Sequence, residues 1–119
     1  MSKFVRIATQ IKDKGCLQDA LKDVNATVTH QRSVRGWGGR RDVDLAVVTS
    51  KGEVGFAKTN DGSYELVGDD MYIPQGFVDK LTQRYARHKV LKQASQAGFT
   101  VTEEKVQRDN SIRLVVRKW

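Results

Sequence analysis

The sequence predicts an α+β fold in which two helices pack on one face of an antiparallel sheet of about six or seven strands. One long helical pattern runs between Pro74 and Gly98, residues suited to the first position of a helix and to the position just past its end. A shorter apolar stripe at Leu17, Ala20, Leu21 and Val24 predicts a second helix. Short alternating or apolar runs bounded by turn residues predict strands, so the expected order is β-α-β-β-β-β-α-β-β. One sheet face would then be exposed or covered by a partner.

The first strand is predicted near Phe4 to Ile11, and Asp13 is suited to cap the helix that follows. Alternation from Ala26 to Val34 indicates one further strand. The near-continuous apolar run of Val43 to Ser50 predicts a central strand.

Two more strands, Val54 to Thr59 and Tyr64 to Gly68, flank Asp61-Gly62, a pair typical of a tight hairpin turn. Together with the central strand they predict an antiparallel meander. Beyond the long helix, Phe99 to Gln107 and Ile112 to Trp119 read as the last two strands. At 119 residues the chain is expected to form a single domain, 1–119.

The apolar residues of the long helix do not follow one stripe. Phe77, Val78, Leu81 and Tyr85 share one side, whereas a second group falls largely on the opposite side. The helix is therefore bent or broken near residue 85, covered on both sides by its own domain, or bound to a partner along one stripe. The candidate partner-binding residues are Ala86, Val90, Ala94 and Ala97.

The composition and the absence of certain motifs limit the functions that the protein is expected to have. Lys and Arg number 21 against 14 Asp and Glu, a net charge of +7 that favours anionic partners. The chain has one cysteine and no run of 18 apolar residues, so neither an intrachain disulfide nor a membrane span is expected. Its two histidines and single cysteine lack metal-ligand spacing, and no nucleophile motif occurs. We therefore expect a protein that is not an enzyme and that holds no metal and no cofactor.

The loop predicted at Val34 to Arg41 is the strongest candidate site. It places Trp37 between glycines and beside three arginines, which suits base stacking and phosphate pairing. The alternative is a surface loop whose Trp37 packs back onto the sheet. The candidate phosphate or nucleic-acid ligands in this loop are Arg35, Trp37, Arg40 and Arg41.

A second basic feature lies on the long helix. Lys80, Arg84 and Arg87 follow a helical spacing and form one basic edge. Such an edge either tracks phosphates or is simply a solvated face.

Nearly the whole chain resembles the hypothetical chloroplast reading frame thirty-five family, small proteins of plastids and cyanobacteria. The most specific match is the pair of motifs formed by Lys80 to Ala86, KLTQRYA, and Ser111 to Val115, SIRLV. The resemblance implies a photosynthetic lineage (a cyanobacterium, a plastid or a phage of cyanobacteria) and a domain without catalytic residues to transfer. The other matching segments are Thr9–Asp13, Ala20–Lys22, Val34–Gly36, Gly55–Phe56, Tyr64–Val67, Val90–Leu91 and Gly98–Phe99.

The function expected from these observations is that of a small basic accessory or adaptor protein acting by protein–protein contact. The alternative is an RNA or single-strand nucleic-acid-binding protein that uses the 34–41 loop and the basic helix edge. The expected compartment is the cytoplasm, the plastid stroma or, for a phage copy, the host cytoplasm. The partner and the oligomeric state are not predicted.

Overall fold

The computed structural model describes residues 3–36, 39–108 and 112–118 and places a five-stranded antiparallel sheet at the centre of the protein. The strand order is β1-β7-β6-β5-β2, with two separate two-stranded hairpins, β3-β4 and β8-β9. The elements are β1 (Phe4–Ala8), α1 (Lys14–Asp23), β2 (Thr27–Thr29), β3 (Ser33–Gly36), β4 (Gly39–Asp42), β5 (Leu45–Val48), β6 (Glu53–Lys58), β7 (Tyr64–Asp69), a 3-10 helix (Asp70–Tyr72), α2 (Phe77–Gln96), β8 (Phe99–Val106) and β9 (Ile112–Lys118).

The α+β class is confirmed, but the single sheet of about six or seven strands is replaced by a five-stranded sheet and two hairpins. The strand predicted from Ala26 to Val34 is divided, because β2 ends at Thr29 and β3 begins at Ser33. Between them the chain leaves the edge of the sheet. A period-2 pattern continues through such a break unchanged, so alternation alone does not reveal it.

The predicted meander is confirmed. Strands β5, β6 and β7 pair in sequence, with Leu45 opposite Phe56 and Phe56 opposite Leu66. The turn between β6 and β7 is held by Asp61, whose Oδ1 accepts hydrogen bonds from Thr59 Oγ1 at 2.6 Å and from Ser63 N at 2.9 Å. This acceptor explains why the chain reverses at the Asp61-Gly62 position.

Both helices pack on one face of the sheet, as predicted. Phe56 and Leu66 of the sheet share one buried cluster with Leu21 of α1 and with Phe77 and Leu81 of α2. Leu21 and Leu81 are almost completely buried, so truncation of either to Ala would cost about 2–5 kcal/mol. The position of both helices is therefore set by the main core.

Helix α2 is continuous over 20 residues, so it is not broken near residue 85. It begins at Phe77, and Pro74 lies in the preceding turn, where its carbonyl accepts a hydrogen bond from Phe77 N. The placement of Pro74 at the first helical position was therefore wrong. Gly98 has the predicted left-handed conformation, with φ of 81°.

The second sheet face is partly covered by the chain itself. The β3-β4 hairpin places Val34, with Val43 just after it, against Ala46 and Val67 in a small buried cluster. A Cβ on Gly36 would lie 2.8 Å from the Cβ of Asp69, so the hairpin approaches β7 closely. The expected open face is thus partly closed by a local hairpin.

The β8-β9 hairpin packs against the long helix. Both of its strands pack against α2, and Arg87 of α2 forms an ion pair with Glu104 of β8. The long helix therefore connects the main core to this second hairpin.

Candidate anion-binding groove

An open groove of about 1060 Å³ lies between the β3-β4 hairpin and the turn that joins β5 to β6. Its basic residues come from both sides: Arg32, Arg35 and Arg40 from the hairpin and Lys51 from the turn. We call this feature the basic groove, and its lining consists of Gln31, Arg32, Ser33, Arg35, Gly36, Arg40, Lys51, Gly52, Glu53 and Tyr72.

The turn that carries Lys51 is fixed by one buried hydroxyl. Thr49 Oγ1 accepts hydrogen bonds from Lys51 N at 3.1 Å and from Gly52 N at 3.2 Å. The same hydroxyl lies 2.9 Å from the Tyr72 carbonyl oxygen, to which it donates. The turn and the 3-10 helix are therefore joined, and the backbone at Lys51 is held by a hydrogen bond.

The aromatic surface of the groove comes from Tyr72. A Cβ on Gly52 would lie 2.6 Å from Tyr72 Cγ, so the ring packs directly on the glycine backbone. Gly52 also has φ of 149°, which side chains rarely adopt. The ring is half-buried. It lines the groove and also packs against the main core.

Strand alternation separates the hairpin arginines. Val34 points toward the sheet, and Arg41 lies opposite it in the register and shares that face. The Arg41 guanidinium sits 4.6 Å from the centre of the Phe4 ring. Arg35 and Arg40, which are paired with each other, point to the outer face instead.

The four cations of the basic groove are not neutralised within the part of the chain that the structure describes. No salt bridge there joins any of them to a carboxylate. Arg40 Nη1 donates to the neutral hydroxyl of Ser33 at 3.3 Å. Glu53 is the acidic member of the lining, so the groove carries an excess of positive charge.

The structure thus groups two of the predicted loop residues and separates the others. Arg35 and Arg40 line the basic groove, Arg41 packs on Phe4, and Trp37 lies outside the described residues. The predicted loop is a hairpin, so Arg40 and Arg41 stand in strand β4. Gly36 and Gly39, which are paired at the end of the ladder, are the turn signal that could have identified this hairpin.

Sequence reasoning missed Arg32, Lys51 and Tyr72 as members of the groove. Arg32 lies just before the predicted loop, whereas Lys51 and Tyr72 lie well beyond it in the sequence. Lys51-Gly52 was recognisable as a turn, but only the crossing of the hairpin over the sheet brings it to Arg35.

The predicted basic edge of α2 has a different environment. Arg84 Nε lies 3.0 Å from Asp23 Oδ2, and Arg87 pairs with Glu104. Lys80 is exposed. Two of the three predicted phosphate ligands on this edge therefore have carboxylate partners within the protein.

Other polar groups of α2 hold the start of α1. Asp13 Oδ1 accepts from Cys16 N at 3.0 Å, which confirms Asp13 as a helix cap, while its Oδ2 lies 2.6 Å from Lys92 Nζ. The hydrogen bond from Lys92, with that from Cys16, keeps the pKa of Asp13 well below its usual range. Tyr85 Oη accepts from Lys12 N and Asp13 N at 3.2 and 3.1 Å. We name Asp13, Tyr85 and Lys92 the helix clamp.

The second stripe of α2 is less buried than the first. Val90 is 42% exposed, and Ala86 and Ala97 are exposed, whereas Ala94 is half-buried. The first stripe contributes Phe77 and Leu81 to the core. The stripe at Ala86, Val90, Ala94 and Ala97 thus retains accessible apolar surface.

Comparison with known proteins identifies the family. Residues 20–115 match the model of a protein family of unknown function, DUF1257. The chain belongs to this family. No solved structure matches the chain.

Three curated relatives carry the name uncharacterized protein ycf35. Those of Pyropia yezoensis and Guillardia theta are each 31% identical, and that of Cyanophora paradoxa is 30% identical. Each alignment covers 100% of this chain and 98% of the relative. The resemblance to the chloroplast reading frame family is therefore confirmed.

The family's function is not known, so neither an enzymatic activity nor a partner follows from membership. Among the described residues, neither α1 nor α2 is long and apolar enough to cross a membrane.

Proposed function

We propose that this protein is a non-enzymatic binding protein that takes single-stranded nucleic acid, most simply RNA, in the basic groove. The observation that carries the proposal is the grouping of Arg32, Arg35, Arg40 and Lys51 without carboxylate partners among the described residues. Cations spaced along a groove can follow a phosphate backbone.

Tyr72 supports a single strand over a duplex. Its ring stands on Gly52 beside Lys51, so one unpaired base could stack there while its phosphates contact the hairpin arginines. Stacking accepts any base, so the proposed recognition has little sequence preference.

The test is the binding of a short fluorescent single-stranded RNA, measured by anisotropy over a salt series. If all four cations contact phosphates, log K should fall with log salt at a slope of about −3, since each contact on a single strand contributes about −0.7. An RNA that does not bind at low salt, or binds with no salt dependence, would refute the proposal.

Two neighbouring arginines provide a matched pair of variants. Arg40 faces the groove, whereas Arg41 packs on Phe4 on the opposite face of the same strand. Arg40→Gln should weaken RNA binding and reduce the salt slope. Arg41→Gln makes the same change in charge and should leave both unchanged. Equal effects of the two substitutions would mean that the net charge of the protein, not the groove, attracts the RNA.

A second candidate function is the protein–protein contact expected from the sequence. It is favoured by the exposure of Val90 on a stripe that the main core leaves partly uncovered. Val90→Asp should then abolish the capture of a specific protein from an extract of a photosynthetic cell. Val48 in β5 is similarly exposed, at 40%, so Val48→Asp is the control that should retain capture.

The proposed compartment is the cytoplasm or the plastid stroma. This part of the proposal rests on the chloroplast reading frame family, to which the ycf35 relatives correspond.

A further inference from the structure

Arg35 and Arg40 stand directly opposite each other in the β3-β4 hairpin. The hydrogen bonds of the ladder reveal which kind of pair they form. Val43 N donates to the Arg32 carbonyl oxygen at 2.9 Å, so Arg32 and Val43 form a hydrogen-bonded pair. Because the two kinds of pair alternate in an antiparallel ladder, Val34–Arg41 is hydrogen-bonded and Arg35–Arg40 is not. The non-hydrogen-bonded pair is the closer one, which brings the two side chains together.

Two like charges directly opposite each other destabilise a strand pair. Asp42 and Glu53 are the carboxylates nearest in the register and in the groove lining, yet neither forms a salt bridge with Arg35 or Arg40. The neutral Ser33 hydroxyl is the acceptor of Arg40. Within the described residues, no carboxylate therefore compensates the two like charges of this strand pair.

The backbone of β3 adds donors to the same place. Among the described residues, β3 pairs only with β4, so its other edge has no neighbouring strand. By the same alternation, the N–H groups of Ser33 and Arg35 point away from β4. The groove is lined by five residues from Gln31 to Gly36 but only by Arg40 of β4, so it borders this unpaired edge.

We propose that Arg35 and Arg40, with the edge amides of Ser33 and Arg35, form a phosphate-binding clasp within the basic groove. The inference rests on the proposed function and deepens it by naming the group that is bound. Guanidinium groups match the oxygens of phosphate in geometry and charge, and an anion between them converts their repulsion into attraction. The ligand is a phosphate group, supplied either by the backbone of a strand or by a phosphorylated small molecule.

The clasp implies that the pair reduces stability in the empty protein and increases it in the bound protein. Thermal unfolding is measured in chloride and in inorganic phosphate at equal ionic strength, for the wild type and for Arg35→Gln and Arg40→Gln. Phosphate should raise the melting temperature of the wild type, and either variant should lose most of that increase. In chloride, both variants should be as stable as the wild type or more stable.

Arg113→Gln is the matched control, because Arg113 is an exposed strand arginine in β9, outside the groove. It should keep the full phosphate effect. If phosphate stabilises all three variants equally, or if Arg35→Gln and Arg40→Gln melt well below the wild type in chloride, the clasp is refuted.

Binding experiments then separate the sources of the phosphate. A single-stranded RNA should bind about tenfold more weakly to each clasp variant, and the double variant should lose less than the product of the single losses because the two residues hold one group. A strand with an uncharged methylphosphonate backbone and an acidic peptide should not compete. Competition by the peptide alone would overturn the clasp in favour of a protein ligand at the β3 edge.

Different experimental results would refute the clasp and the proposed function. RNA that binds equally to the wild type and to the clasp variants would refute the clasp and leave groove binding in place. Phosphate stabilisation through the arginine pair without RNA binding would support the clasp for a small phosphorylated ligand and refute nucleic-acid binding.

Discussion

The cations of α2 and the cations of the basic groove are similar in number and kind, but their surroundings differ. Arg84, Arg87 and Lys92 each lie beside a carboxylate of another element. Arg35 and Arg40 have none within the described residues and stand opposite each other. These three positive charges of α2 join elements of the fold, whereas those of the groove have no carboxylate partner among the described residues.

This difference shows that a basic surface cannot be interpreted from charge alone. An arginine that is already paired gains little by exchanging its carboxylate for a phosphate, since it must first lose the existing partner. An unpaired arginine in a groove loses only water. We therefore expect substitutions of the paired residues of α2 to change stability and substitutions in the groove to change binding.

Among the polar substitutions that compare the two regions, the largest effect on stability is expected at Asp13 in the helix clamp. Asp13→Ala removes the cap of α1 and the carboxylate beside Lys92, so the free energy of unfolding should fall by about 2 kcal/mol. Urea denaturation measures this change. Glu53→Ala, which removes a carboxylate from the groove, should change it by less than about 0.5 kcal/mol. A similar loss in both variants would contradict the distinction between the two regions.

The hydroxyl of Tyr85 should contribute the next effect. Tyr85→Phe leaves the N–H groups of Lys12 and Asp13 without their acceptor and should cost about 1 kcal/mol. Tyr72→Phe is the matched substitution, because no hydrogen bond joins the Tyr72 hydroxyl to another described residue. Its unfolding midpoint in urea should equal that of the wild type. A Tyr85→Phe variant that is as stable as the wild type would show that water replaces the Tyr85 hydroxyl as the acceptor.

A smaller effect compares one arginine from each region. Arg84→Gln breaks the pair with Asp23 and should lower the free energy of unfolding by about 0.5 kcal/mol while leaving RNA binding unchanged. Arg35→Gln should weaken RNA binding without lowering the free energy of unfolding. Parallel denaturation and anisotropy titrations of the two proteins decide the point, and loss of RNA binding in Arg84→Gln would return the helix edge to the binding surface.

The smallest effect is a dependence of stability on acid. The pKa values of Asp13 and Glu104 are lowered mainly by hydrogen bonds from Lys92 and Arg87. Burial raises the pKa of Asp23, but hydrogen bonds from His88 and Arg84 outweigh it and the net pKa is lowered. Carboxyls with a lowered folded-state pKa contribute stability that is present above the unfolded value of about 4 and is lost as the pH falls through the folded value.

The melting temperature should therefore decrease below about pH 5. Lys92→Met removes the largest cause of the shift at Asp13 and should make this decrease shallower. Lys51→Met, in the groove, should leave its steepness unchanged. A Lys92→Met protein with the wild-type acid profile would exclude the Lys92 hydrogen bond to Asp13 as a contributor.

Local sequence patterns were sufficient to predict the α+β class, the β5-β6-β7 meander, the cap at Asp13 and most of the long helix. These features depend on local chemistry: the alternation of side chains, an Asp-Gly turn and a carboxylate that accepts from the start of α1. The family also followed from sequence, because its motifs extend along nearly the whole chain.

Which cations have carboxylate partners depends on how the chain packs and could not be predicted from local patterns. Asp23 and Arg84 are separated by 61 residues in sequence, and Lys51 reaches Arg35 of β3 because the hairpin crosses the sheet. Side-chain periodicity shows the face on which a residue lies but not what lies against that face. The division between structural and available charge is therefore a property of packing, which brings together residues that are far apart in sequence.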